Sequence, residues 1–471
     1  MKINAKEILG VSGNSKSVKK GFVFVALKGF RQNGRRFIRE AIGKKAGLIV
    51  VEGKKPRGKF FQGVEFLEVK DGRKFLAHCA AQFYGFAADK IKVIGITGTN
   101  GKTTIAYLLE AILKANRKEC GVIGTLNYHY GNKIFKAKNT TPGPVELNSI
   151  LADMLKAKAS YCAMEVSSHA LDQQRVGAIA FHSAIFTNLT RDHLDYHKSL
   201  ERYFQAKAKL FQALDSRALA VINADDKYSC RLQKLTRAKL VTYAIKNRAS
   251  VMAKDIQYNI RGTEFLLVSS VGKIKIKSSL IGEYNVYNLL AAISWSLSVK
   301  VSLKVIKRAI EKFAAPSGRL ERVGGFSGRN IFVDYAHTPD ALFNVLNALR
   351  SLCRGKIVIV FGCGGERDRG KRPEMGRIAE RLADYLIITN DNPRSEKPLD
   401  IIKDIRKGLR GNNACVIFDR ALAIKAGLAR VSKDDILLVA GKGHEDYQII
   451  GKRTLHFDDR EEISKCLKSA N

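Results

Sequence analysis

The chain has 471 residues, 45% of them hydrophobic and 27% charged, and its 82 Lys and Arg against 44 Asp and Glu give a formal net charge of +38. No apolar run approaches the roughly 18 residues a membrane span needs, and the N-terminus shows no signal-peptide apolar region. The eight cysteines are scattered without a C-x-x-C pair, which argues against a disulfide scaffold or zinc ribbon and leaves a reducing cytoplasm as the expected compartment.

The length predicts about three domains. Residues 1–89 alternate short β-like runs (Phe22 to Leu27, Leu48 to Glu52, Val64 to Val69) with helical patterns around Arg36 to Lys44 and Arg73 to Phe83. This is a small α/β unit without a catalytic constellation of its own. The next domain, 90–315, opens on the apolar run Ile91 to Ile96, then Thr97-Gly98-Thr99-Asn100-Gly101-Lys102-Thr103-Thr104, then helical spacing from Ile105 to Lys114. Strand, glycine-rich turn and helix N-terminus make an anion site, because free backbone N–H groups and the helix dipole face the turn. Lys102 supplies a cation for the β/γ-phosphates of ATP, and the Thr103 hydroxyl is a natural Mg²⁺ ligand. Two residues rather than four separate Gly98 from Gly101, so the loop is a variant of the common phosphate-binding pattern.

Further along, apolar runs end in polar segments: Asn139-Thr140-Thr141-Pro142-Gly143, then Glu165-Val166-Ser167-Ser168-His169, then Thr190-Arg191-Asp192-His193-Leu194-Asp195. Taken singly, each reads as a solvated loop or a helix cap. Their shared place after strands of one nucleotide-binding sheet lets Glu165 and His193 complete a metal shell begun by Thr103. A helical stretch from His197 to Leu214 carries Lys207. The third domain, 316–471, starts at Pro316-Ser317-Gly318-Arg319 and shows strands at Ile331 to Val333, Lys356 to Phe361, Tyr385 to Thr389 and Ile436 to Ala440. Loops such as Asp391-Asn392-Pro393-Arg394 and Gly441-Lys442-Gly443-His444-Glu445 follow them. The expected class is α/β, with a central P-loop-type, mostly parallel sheet and a doubly wound, Rossmann-like C-terminal domain. The glycines at 362–365 lack the G-x-G-x-x-G spacing of a dinucleotide site. Basic residues are spread along the chain without a tail or RNA-binding aromatic motif, so no specific nucleic-acid partner is expected; the rival from a different class is a basic P-loop NTPase acting on nucleic acid.

These motifs, with Tyr287-Asn288-Leu289-Leu290-Ala291-Ala292, Gly318-Arg319-Leu320-Glu321 and Asp334-Tyr335-Ala336-His337-Thr338-Pro339-Asp340, closely resemble the Mur ligases, ATP-dependent amino-acid-adding enzymes of peptidoglycan synthesis. Within that family, Asp391-Asn392-Pro393-Arg394 resembles the branch that adds diaminopimelate to UDP-MurNAc-L-Ala-D-Glu; a lysine-adding enzyme, or a neighbour such as a folylpolyglutamate synthase, is the alternative. The resemblance implies that domain 1–89 binds the UDP end, 90–315 ATP and 316–471 the amino acid, in a cytoplasmic enzyme expected to be monomeric. ATP and Mg²⁺ would be held by Gly98 to Thr104, with Asn288, Arg319, Asp334 and His337. Glu165 and His193 would be metal ligands, and Lys207 would be carbamylated (N6-carboxylysine) to bridge a second Mg²⁺. The muramyl peptide would be held by Ser15, Asn139, Thr140, Thr141, Ser167, Gln173 and Arg175. Diaminopimelate would be held by Arg367, Asp391, Asn392, Arg394, Gly441 and Glu445. Where family members often carry Asp-Ser-Arg, this chain has Asn14-Ser15-Lys16.

Overall fold

The computed structural model describes residues 2–3, 6–29, 32–323 and 329–468. Three main sheets follow one another along the chain. The first has four parallel strands in the order Gly10–Ser12, Phe22–Ala26, Leu48–Glu52, Phe66–Val69. The helix Gly72–Phe83 covers it, capped by Asp71, whose carboxylate accepts from Lys74 N. The helical pattern at 36–44 divides into a 3-10 turn, Gly34–Phe37, and a short α-helix, Ile38–Gly43.

The central sheet has 11 strands. Its middle is parallel, in the order Cys120–Ile123, Tyr161–Glu165, Lys92–Thr97, Ser183–Phe186, Leu219–Asn223, Lys239–Ala244, Val251–Asn259. Both faces of such strands are covered by helices, which is why Val93 to Thr97 reads as unbroken burial. Both edges are antiparallel. One is the hairpin Asn127–Tyr130 with Lys133–Lys136, and the other is the meander of Val251–Asn259, Gly262–Ser269 and Gly272–Ser278. These hairpins are absent from the sequence expectation of alternating strands and helices.

The helix Lys102–Ala115 buries Ile105, Leu108, Leu109, Ile112 and Leu113 against one face of the sheet. On the same face lies Glu283–Ser298, buried nearly all round. It carries the chain's one tryptophan, Trp295, which is fully buried. Its indole N–H donates to Ser183 Oγ at 2.7 Å, and its ring meets Tyr161 edge-on.

The third sheet has six strands, ordered Glu321–Val323, Asn330–Asp334, Ile436–Ala440, Ile357–Phe361, Tyr385–Ile388, Ala414–Val416. All pairs but the first are parallel. The carboxyl ends of these strands, like those of the central sheet, are where polar loops gather. Among the described residues no helix is long and apolar enough to cross a membrane.

Candidate active site

The phosphate loop joins the strand Lys92–Thr97 to the helix Lys102–Ala115. Its last residue, Gly101, has φ 87°, and a Cβ there would overlap Asn288 Oδ1. Only glycine meets both demands. Lys102 is folded back on its own loop, its ammonium donating to Gly98 O at 2.9 Å and Thr99 O at 2.8 Å. Burial, with Arg319 adding to it, lowers the pKa of Lys102. Lys207, from the helix Leu200–Gln212, donates to the same Gly98 carbonyl at 2.8 Å and lies over the Tyr203 ring at 4.6 Å. Lys207 is 2% exposed, and burial together with the nearby Lys102 pushes its pKa well below the ordinary lysine value.

Glu165 ends its strand fully buried, and hydrogen bonds rather than a direct ion pair hold it. Thr103 Oγ1 donates to Oε1 at 2.9 Å, Thr125 N to Oε1 at 2.9 Å and Thr125 Oγ1 to Oε2 at 3.0 Å. Arg319 reaches from the C-terminal part of the chain and donates to Thr103 Oγ1 at 2.9 Å. His193 faces Asp192 at 3.2 Å, and burial pushes its pKa to about 3, so the ring is a neutral donor of a lone pair at physiological pH. Among the described residues no three His, Cys, Asp or Glu side chains converge as a metal cage. The hard oxygen pair of Thr103 and Glu165, both lining a cavity with His193, Lys102 and Lys207, fits Mg²⁺ nonetheless. That ion usually takes one or two protein ligands and completes its shell with phosphate and water.

The same cavity is lined by Thr99, Asn100, Thr104, Thr140, Ser167, Asn288, Arg319, Asp334 and His337. Burial pushes Asp334 up to about 6 against the pull of Arg319 and two backbone N–H donors, Leu320 and Ala336. Burial also takes His337 down to about 4. Asn100 donates to Asp340 Oδ2 at 2.7 Å, a second link between the loop and the C-terminal part that sequence reading missed.

A wall of polar groups adjoins Glu165. Thr141 is buried and donates to Glu165 O at 2.8 Å, and Thr140 and Thr125 hydroxyls lie 3.1 Å apart. Ser167 caps the helix Ser168–Asp172. Arg175 donates to Thr141 O at 2.9 Å and forks Gln173 Oε1 at 3.1 and 2.8 Å. Asn139 is held at its carbonyl by the Tyr128 hydroxyl. A second groove lies between the first sheet and the hairpin 127–136, lined by Asn14, Phe22, Phe83, Tyr84, Tyr130 and Phe135 among others. Ser15 does not line it. Its hydroxyl is buried and donates to Glu40 Oε2 at 2.7 Å.

A second cluster sits on the C-terminal sheet. Asp391 and Asn392 are buried, and Asn392 Nδ2 donates to Glu445 Oε2 at 2.7 Å. Burial first, and Asp391 second, raise the Glu445 pKa. A Cβ built on Gly364 would lie 3.1 Å from Arg394 Nη1, 3.7 Å from Arg367 Cγ and 3.8 Å from Asp391 Oδ1, so two guanidinium side chains and a carboxylate surround that glycine. Arg394 Nη1 donates to Gly365 O at 2.7 Å. A Cβ on Gly441 would approach Asp391 Oδ2 to 2.8 Å. The six residues expected to hold the amino acid therefore converge.

Residues 96–295 match the family model described as Mur ligase middle domain, residues 318–443 the Mur ligase, glutamate ligase domain, and residues 7–84 the Mur ligase family, catalytic domain. The UDP-N-acetylmuramoyl-L-alanyl-D-glutamate--2,6-diaminopimelate ligase of Clostridium tetani is 43% identical over 98% of this chain and 95% of its own length. The chain belongs to the Mur ligase family. A Mur ligase of the same name from Geobacter sulfurreducens is 42% identical, covering 99% of this chain and 96% of its own. A solved Mur ligase structure, again of that name, superposes with a TM-score of 0.71 at 33% identity, covering 100% of this chain and 97% of that one. Sequence reading gave no role to Thr125, nor to Asp340, although Asp340 closes the motif quoted from Asp334. Thr125 follows the strand Cys120–Ile123, and that position at a strand's carboxyl end was the available signal.

Proposed function

We propose that this Mur ligase joins meso-2,6-diaminopimelate to the D-Glu γ-carboxylate of UDP-MurNAc-L-Ala-D-Glu, using ATP and releasing ADP and phosphate. The observation that carries the choice of amino acid is the meeting of Asp391 and Glu445 with Arg394 and Arg367 around Gly364 and Gly441. The far end of diaminopimelate is itself a zwitterion. Its ammonium would relieve the repulsion between Asp391 and Glu445, which Lys442 at 3.2 Å from Glu445 Oε2 offsets in part, and its carboxylate would be forked by a guanidinium. With lysine in place, the arginine would lose its partner and face an ammonium, at a cost on the order of 2–5 kcal/mol. That is a discrimination of roughly thirtyfold to several thousandfold.

A carboxylate is a poor electrophile, so the γ-carboxylate oxygen first attacks the γ-phosphorus of ATP, giving an acyl phosphate and ADP. The amine then attacks the acyl carbon, and phosphate leaves with the C–O bond electrons as the amide forms. Three anionic groups must converge for this, and the chain meets them with Lys102 and Arg319, both in the cavity and partly withdrawn from water. Thr103, Glu165 and His193 would hold Mg²⁺, and Lys207 a second ion once carbamylated, neutralising phosphate charge. Carbamylation needs a neutral amine to attack CO₂, and the depressed pKa of Lys207 provides one. Thr140, Thr141, Ser167, Gln173 and Arg175 would hold the peptide, and the groove between the first sheet and the hairpin the uridine end, with Asn14 rather than the Ser15 hydroxyl on its surface.

The test is phosphate release with UDP-MurNAc-L-Ala-D-Glu and either diaminopimelate or lysine. Diaminopimelate should give the higher kcat/KM by at least thirtyfold, on the order set by the arginine's lost partner. Arg394→Ala should erase the preference while leaving ATP affinity intact. Equal use of lysine by the parent enzyme would overturn the assignment.

A further inference from the structure

Among the described residues, the pair Arg420–Asp459 is a fully buried ion pair at the C-terminal sheet's loop edge for which sequence reading gave no role. Arg420 opens the helix Arg420–Leu428 and Asp459 opens the helix Asp459–Lys468. Both side chains have no exposed surface. The guanidinium holds Asp459 in a two-pronged contact, Nε to Oδ1 at 2.7 Å and Nη2 to Oδ2 at 2.8 Å. Its remaining donors go to two backbone carbonyls, Nη2 to Ala440 O at 3.0 Å and Nη1 to Asn390 O at 3.2 Å.

Those two carbonyls are informative. Asn390 immediately precedes Asp391, and Ala440 immediately precedes Gly441. The strands that deliver them, Tyr385–Ile388 and Ile436–Ala440, are not neighbours, because Ile357–Phe361 runs between them. No ladder hydrogen bond joins those two strands, and their loops start about 10 Å apart at two strand spacings. Farther along, the loops are tied by Asn392 to Glu445 and, just past Glu445, by Gln448 Nε2 to Asp391 O at 2.8 Å and Arg394 N to Ile449 O at 3.0 Å, so Arg420 is the tie at their strand-end bases.

We infer that Arg420, fixed by Asp459, is a positioning residue for the amino-acid pocket, setting the separation of the Asp391–Arg394 loop from the Gly441–Glu445 loop at their strand-end bases. It touches neither substrate nor nucleotide. Its planar fork spans two carbonyls and a carboxylate at once, which a lysine ammonium on a flexible stem does not. The inference rests on the diaminopimelate reading above, since it is that ligand whose two charged groups need the two loops at a fixed spacing.

Two variants test it. Arg420→Lys keeps a charge against Asp459 but loses the fork, and Arg420→Met/Asp459→Leu replaces the pair with apolar groups of similar volume, so that no buried charge is left unpaired. KM for diaminopimelate should rise by about tenfold or more in both, as when a supporting contact behind a ligand is lost. KM for ATP and for the UDP-linked substrate should stay within about twofold of the parent, a split that general damage to the scaffold does not produce. Arg420→Lys, with Asp459 still paired, keeps the test open if the apolar pair does not fold. An unshifted KM for diaminopimelate in either folded variant, or three KM values rising together, overturns the inference alone. A parent enzyme with no diaminopimelate turnover overturns the proposed function, and this inference with it.

Discussion

At Gly98 a single carbonyl accepts from two lysines, Lys102 and Lys207, whose ammonium groups are thereby brought side by side in a buried setting. One way to ease that repulsion is for Lys207 to become an anion, as a carbamate. Lys207→Ala should then lose activity by about 10²–10³-fold, the scale for removing a charge that stabilises the transition state, and short carboxylic acids such as acetate should restore part of it. A fully active Ala variant, or one that acetate leaves untouched, refutes the carbamate. Lys102→Ala should lose a comparable or larger factor and show no rescue by acetate, since the missing group is a cation. Four histidines carry a separate expectation. Burial holds His193 and His444 at about 3 and His197 and His337 at about 4, all below the ordinary imidazole value. Between roughly pH 6.5 and 4 the unfolded chain binds protons at these sites that the folded chain refuses, so stability should fall as pH drops through that window. The thermal midpoint measured across it should decline less steeply in His444→Gln than in the parent.

At the scale of elements, the phosphate loop shows why exact backbone chemistry matters more than the pattern around it. Gly101→Ala forces a left-handed φ on a residue with a Cβ and drives that Cβ into Asn288, so nucleotide binding measured by calorimetry should weaken by at least tenfold. Gly131→Ala, at φ 52° in the hairpin turn with open space around it, should cost only about 1 kcal/mol and leave ATP binding unchanged. The phosphate loop was readable because an apolar strand, two glycines and a helical period adjoin within a short stretch. Strand ends were readable to within a residue or two, as at Leu48–Glu52 and Ile436–Ala440, where apolar runs stop at Glu52 and at Gly441-Lys442. The helix expected from His197 begins instead at Leu200, after a separate turn, Leu194–His197, because His193 and Lys198 take left-handed φ of 54° and 68°. No composition rule signals that. The antiparallel edges were missed although Lys273 to Lys277 alternates Lys and Ile with a period of two, the mark of a half-exposed strand. The muramyl and amino-acid residues came from family resemblance, since the contacts that join Asn392 to Glu445, 53 positions apart, leave no local trace.

For the whole molecule, the C-terminal part is fastened to the central one by contacts of two kinds. Asn100 to Asp340 and Arg319 to Thr103 lie at the cavity, while Lys136 to Asp446 at 2.9 Å and Arg191 to Asp368 at 3.4 Å lie outside it, each with at least one exposed partner. Such partly exposed pairs are worth about 0.2–1 kcal/mol, so Lys136→Ala and Arg191→Ala should each raise KM for the amino acid by no more than about fivefold. That difference should vanish at high salt, and a titration of KM against sodium chloride reads it directly. Arg319→Ala should be far more costly and insensitive to salt. The lone tryptophan offers an optical handle on the same architecture. Trp295 is sealed between the helix Glu283–Ser298 and the central sheet, while the domains on either side carry tyrosine and phenylalanine alone. Its emission therefore reports the melting of the nucleotide-binding sheet and is blind to the other two, whereas far-ultraviolet dichroism sums over all three. Followed together through a urea titration, the two signals should part wherever an outer domain lets go first, and ATP should shift the fluorescence curve by mass action on the sheet that binds it.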